Sequence, residues 1–99
     1  MAHMIIDGKA CQAISGNTLE VHSPVDGKVF EHIPRGDAKD IDAAVRAARA
    51  ALSGAWRLLS ATERGRLMMK LGFLITEHAE ELALLEARDT GKPMTTARN

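Results

Sequence analysis

The 99-residue sequence predicts an α+β chain, with hairpin strands and turns over residues 4–36 and three helices over residues 37–99. Two patterns carry this expectation. Before residue 37, short apolar runs are separated by turn pairs rich in Gly, Pro and Asp, whereas from Asp37 onward apolar residues recur at three- and four-residue steps. A third observation is composition: 45% of residues are apolar but only 3% aromatic, so the core of a globular chain must come from Leu, Ile, Val, Met and Ala. At this length one small domain is the limit, burying roughly 60–65% of the surface its unfolded form exposes.

Each element follows from its own residues. Met4-Ile5-Ile6 leads into Asp7-Gly8, a pair suited to the positive φ angles of a tight hairpin turn. A second apolar run, Ala10 to Ile14, follows, and Ser15-Gly16-Asn17 turns the chain again. Thr18-Leu19-Glu20-Val21-His22 alternates polar and apolar, as a strand with one buried face does. Pro24-Val25-Asp26-Gly27 is the next turn, Lys28 to Ile33 the next strand, and Pro34-Arg35-Gly36 closes the β part. Asp37 is suited to cap a helix whose first turn carries Asp40. Ile41, Ala44, Val45, Ala48, Ala51 and Leu52 form an apolar stripe on that helix, and Ser53-Gly54 stops it. Ser60-Ala61-Thr62-Glu63 is a capping box. The stripe after it, Leu67, Leu71, Leu74, Ile75, His78, Leu82 and Leu85, is expected to span two helices broken near Thr76–Ala79, although no Pro or Gly enforces the break.

Composition also excludes function classes. Thirteen basic residues balance thirteen acidic ones, which argues against a nucleic-acid footprint or a basic membrane-surface helix. No apolar run is long enough to cross a membrane. The single cysteine, Cys11, cannot form an internal disulfide, and a reduced thiol points to a cytoplasmic protein. A nucleophilic Cys11 would need a base, and only His3 and His22 are near it in sequence. The four histidines show no metal-ligand spacing, and His78, on an apolar stripe, is expected to be packed or half-buried. Gly91-Lys92 lacks the earlier glycine of a phosphate loop, and Pro93 stands where Ser or Thr would hold magnesium. Arg46, Arg49, Arg64, Arg66 and Lys70 read as solvated helix faces. Residues 1–3 read as a vector remnant ahead of a start at Met4.

The stretch Asp89-Thr90-Gly91-Lys92-Pro93 is first a helix ending, with Gly91 free to turn left-handed after the last turn. Asp89 is the odd member, because a negative charge near a helix C-terminus is unfavourable by about 0.3–1 kcal/mol when exposed. A cation, an arginine, a cap or a following helix N-terminus could each compensate it.

In order along the chain stand Ile6-Asp7-Gly8-Lys9, Leu19 to Val29, Gly36-Asp37 ahead of Ile41 to Val45, Trp56, Ser60 to Arg64, and Glu80 to Glu86 running into Asp89 to Pro93. With these residues the chain resembles the N-terminal part of the aldehyde dehydrogenase superfamily over nearly its full length. It departs from the family pattern at Ser23, where Asn is usual, and at Ala87-Arg88, where Thr-Leu is common. The resemblance implies a segment of the α/β cofactor-binding domain of a larger, homo-oligomeric subunit, a dimer or tetramer. That subunit would oxidise an aldehyde to an acid with NAD or NADP through a cysteine thioester. It implies no catalytic and no dinucleotide-binding residue within these 99, and Cys11 is not the catalytic cysteine. It also implies a structural Na+ or K+ held by the Asp89 carboxylate and the backbone carbonyls of Val21 and His22, hard oxygen donors suited to such an ion. Two expectations therefore stand side by side. As the N-terminal segment of an enzyme, the chain alone would be inactive and would expose Leu71, Leu74, Leu82 and Leu85 for the rest of the subunit. As a small stand-alone binding or assembly module, it would cover them itself.

Overall fold

A computed structural model describes all 99 residues, Met1–Asn99. Strands β1 (Met4–Ile6) and β2 (Lys9–Cys11) pair antiparallel in the register Met4↔Cys11, Ile5↔Ala10, Ile6↔Lys9. Asp7 and Gly8 join them with φ of 54° and 71°, both left-handed, as a two-residue hairpin turn requires. Strands β3 (Thr18–His22) and β4 (Val29–Pro34) form a second, separate two-stranded sheet. The expected apolar run Ala10 to Ile14 is thus a strand only to Cys11. Its far end bends away, burying Ala13, and Gly16 turns with its amide bonded to the Ala13 carbonyl at 2.8 Å. Alternation in β3 does not yield a buried face: Val21 is half-buried, but Leu19 is 43% exposed. Pro34 is the last strand residue, one step beyond the expected end.

Five helices follow: α1 (Ala38–Ser53), α2 (Ala55–Leu58), α3 (Ala61–Glu77), α4 (Ala79–Thr90) and α5 (Met94–Ala97). The three long ones are those read from the sequence, and the two single-turn helices carry no periodic signal long enough to read. Both long helices that open with a capping sequence close it reciprocally. The Asp37 side chain accepts from the Lys39 amide at 2.9 Å while Asp40 accepts from the Asp37 amide, also at 2.9 Å. Ser60 Oγ accepts from the Glu63 amide at 3.1 Å, and Glu63 returns a bond to the Ser60 amide at 3.0 Å. Each box satisfies amides that a helix start otherwise leaves unpaired. The break between α3 and α4 falls at His78, inside the expected window, with φ −101° and ψ 20°. No Gly or Pro enforces it. The His78 amide bonds back to Leu74 and Thr76 carbonyls, and Glu80 and Glu81 supply the negative charge that favours a fresh helix start.

The chain groups into two compact units, residues 1–21 with 29–58, and residues 22–28 with 59–99. In the first, the inward face of α1 is small: Asp40 is buried and Ala43, Ala44 and Ala47 are half-buried, at i, i+3, i+4 and i+7. The large members of the apolar stripe point out, with Ile41, Val45 and Leu52 at 63%, 44% and 71% exposure. In the second, Ala83 is the buried residue of α4, while Leu71, Leu74, Leu82 and Leu85 are all exposed. On these helices small residues take the buried positions and large ones face solvent, the reverse of a self-sufficient core. The accessible surface is 7874 Å², against about 5500 Å² for a compact monomer of this mass. No helix is long and apolar enough to cross a membrane.

Candidate functional site: the α4 terminus and the Pro24 loop

Three polar devices finish α4. Gly91 takes φ 76° and ψ 6° and donates to the Ala87 carbonyl at 2.9 Å, the left-handed ending expected of it. Thr90 Oγ1 donates to the Glu86 carbonyl at 2.8 Å, and Lys92 Nζ reaches Glu86 Oε1 at 2.8 Å. Pro93 then starts α5, and Arg98 at its end donates to both oxygens of Glu80, at 2.7 and 3.1 Å. That bidentate pair, through the guanidinium hydrogen bond and its charge, holds the Glu80 carboxyl below the usual carboxylate range and raises Arg98.

The loop joining β3 to β4 lies against this terminus. Ser23 donates its amide to the Lys28 carbonyl and accepts from the Gly27 amide, both at 2.8 Å, and the Asp26 carboxylate accepts from the Lys28 amide at 2.9 Å. The loop is closed by its own bonds, and it presents Pro24. A Cβ added to Gly91 would sit 3.0 Å from Pro24 Cγ. The two stretches singled out in the sequence, Ser23 to Gly27 and Asp89 to Pro93, therefore meet side by side within one unit. Glycine at 91 is required twice over, by its φ and by the proline ring.

Of the residues expected to hold a cation, Asp89 lies in the last turn of α4, exposed, with no hydrogen bond or ion pair to its carboxylate. His22 falls in the same unit as Asp89, and Val21 ends the first segment of the other. Neither an arginine nor a cap compensates Asp89. No three His, Cys, Asp or Glu side chains converge as a metal cluster.

His78 departs from expectation. Its side chain is 55% exposed rather than packed, with Nδ1 3.2 Å from Glu81 Oε2. It rims an open groove of about 340 Å³ with Leu74, Ile75, Glu81 and Leu82. It stays beside Leu74, Ile75 and Leu82 of its stripe and is exposed because that stripe faces solvent. Arg64 departs too: it is half-buried, its guanidinium bonded to the Leu59 carbonyl at 3.0 Å.

Asp40 carries more than the sequence suggested. Beyond capping α1, its Oδ1 accepts from the Ile14 amide at 3.0 Å, so one buried carboxylate ties the Ala13–Ile14 bend to the helix start. The amide bonds of Asp37 and then Ile14 hold its carboxyl below the usual carboxylate pKa range, outweighing burial. No sequence signal marks a contact across 26 positions. The same carboxylates bear on nucleotide binding. β4, Gly36 and α1 make a strand–loop–helix, but Asp37 and Asp40 already occupy the helix N-terminus where a pyrophosphate would need free amides. Both sheets are two-stranded, with no parallel crossover. These residues do not fit a dinucleotide.

Comparison with known proteins agrees with this architecture. The aldehyde dehydrogenase family profile matches residues 11–99. The chain is 43% identical over 91 residues to aldehyde dehydrogenase family 2 member B4, mitochondrial, of Arabidopsis thaliana, covering 91% of this chain and 17% of that protein. The NAD+ complex structure of an aldehyde dehydrogenase from Bacillus cereus superposes with a TM-score of 0.95 at 45% identity, over 97% of this chain and 20% of that one. The NAD-dependent aldehyde dehydrogenase from Sinorhizobium meliloti gives 0.94 at 43%, over 98% and 20%. The chain belongs to the aldehyde dehydrogenase family. It spans about a fifth of the length of these relatives.

Proposed function

We propose that the chain is the N-terminal structural segment of an NAD(P)-dependent aldehyde dehydrogenase, an oxidoreductase that converts an aldehyde to a carboxylic acid through a cysteine thioester. The family match over residues 11–99, at about a fifth of the relatives' length, carries this reading. The chain's task is packing. Its thiol, Cys11, is half-buried on β2 in no metal-ligand cluster, and its one strand–loop–helix is closed to phosphate. The nucleophile, the water-activating carboxylate and the dinucleotide belong to the remainder of the subunit, which would also cover Leu71, Leu74, Leu82 and Leu85. NAD rather than NADP is favoured by a structural neighbour solved with NAD+. The test is direct: the purified 99-residue chain is offered aldehydes and NAD+, with NADH absorbance and calorimetric binding as readouts. Neither signal should appear. NADH formation that is lost in Cys11→Ser would overturn the reading.

The same reading assigns a Na+ or K+ ion to the Asp89 carboxylate with the carbonyls of Val21 and His22. Its support is the absence of any protein partner for Asp89 at a helix end that disfavours its charge. In the complete subunit, K+ should raise the melting temperature over a tetramethylammonium control, and Asp89→Asn should abolish the rise. An equal rise in both proteins would remove Asp89 as a ligand.

A further inference from the structure

The chain contains two Asp-Gly pairs, Asp7-Gly8 and Asp26-Gly27, and their surroundings are opposite. We propose that Asp7-Gly8 is a site of spontaneous covalent modification, aspartyl isomerisation through a cyclic imide, with water as the only other reactant. In this reaction the Gly8 nitrogen attacks Cγ of the protonated Asp7 side chain. The N–Cγ bond forms, a Cγ–O bond breaks, and the amide proton leaves with the oxygen as water. Water then adds to either imide carbonyl. Opening at the main-chain carbonyl carbon leaves the chain running through Cγ, an isoaspartyl link of unchanged mass.

Two features open the first pair to this chemistry. Asp7 and Gly8 are both exposed. No hydrogen bond engages the Gly8 amide or the Asp7 carboxylate. At the second pair both reacting groups are occupied. The Asp26 carboxylate accepts from the Lys28 amide at 2.9 Å, and the Gly27 amide donates to the Ser23 carbonyl at 2.8 Å. Each such bond, broken before attack, slows its step on the order of fivefold, so Asp7 should isomerise about tenfold faster or more. The product adds a backbone carbon to a two-residue turn, which removes the Ile6↔Lys9 register of the hairpin.

The experiment holds the folded 99-residue protein at neutral pH and samples it over days. Isoaspartate is located by enzymatic methyl transfer from S-adenosylmethionine and by peptides of shifted retention and unchanged mass. Without denaturant, isoaspartate should appear at Asp7 about tenfold ahead of Asp26, and in denaturant the two rates should converge. Asp7→Glu, whose longer side chain disfavours the ring, should erase the signal at position 7 and leave Asp26 unchanged. Equal rates without denaturant, a faster Asp26, or no isoaspartate at an Asp7 that reacts once unfolded would each overturn the proposal.

Discussion

Asp40 and Gly91 do the most with a single side chain, or the lack of one. The Asp40 carboxylate, held below its usual range mainly by the Asp37 amide and then by that of Ile14, binds protons more weakly folded than unfolded. Its contribution is therefore present above the unfolded value of about 4 and is lost as pH falls through the lower folded value. Chemical denaturation from neutral to acidic pH should show this slope in the parent and a flatter one in Asp40→Asn. Asp40→Ala should also destabilise more than Asp42→Ala, because Asp42 only pairs with Arg46 four residues on, both largely exposed. Gly91→Ala would force a Cβ into a left-handed residue and towards Pro24. A cost of about 1–2 kcal/mol in thermal or urea unfolding is expected, with the α4 terminus as its site. The left-handed Gly91 was legible in the sequence because the requirement is local. The Pro24 contact and the Ile14–Asp40 bond were not, because they depend on segments far apart in the chain.

At the level of elements, local chemistry decided what the sequence revealed. The Asp37 cap, the Ser60 capping box and the Asp7-Gly8 turn lie where residue types place them, and the break at His78 falls inside the expected window although no Gly or Pro enforces it. Ser60→Ala should cost about 1 kcal/mol, read as a lower melting temperature with helix content lost at the start of α3. Periodicity, by contrast, identified helices without fixing which face turns inward. Along α1 the stripe of Ile41, Val45 and Leu52 is as regular as any core seam, yet the face that packs is Asp40, Ala43, Ala44 and Ala47. A moment reports that large apolar residues share a side, not what lies opposite them. His78 is exposed rather than packed for the same reason: it sits with Leu74 and Leu82 on a stripe that faces solvent. The single-turn helices α2 and α5 are too short for any period to register.

For the whole molecule, the decisive quantity is surface left unburied: about half of what the unfolded chain exposes is removed, against the 60–65% expected at this length. The isolated chain should bind 8-anilinonaphthalene-1-sulfonate and self-associate with concentration in analytical ultracentrifugation. A dye-free, strictly monomeric chain would argue for a module that covers its own leucines. Charged substitution at Leu74 and Leu82 should suppress both signals, whereas the same change at Lys70 should not. The reciprocal caps of α1 and α3 carry a last consequence, in time rather than in energy. Helices whose first turns close on their own side chains form within about a microsecond, well before distant segments find each other. Little then remains to hold each helix in its own unit, because α1 turns mainly alanine inward and α3 buries no residue. Far-ultraviolet ellipticity of the 99-residue chain should accordingly fade over a broad temperature range, segment by segment, instead of vanishing at one sharp midpoint.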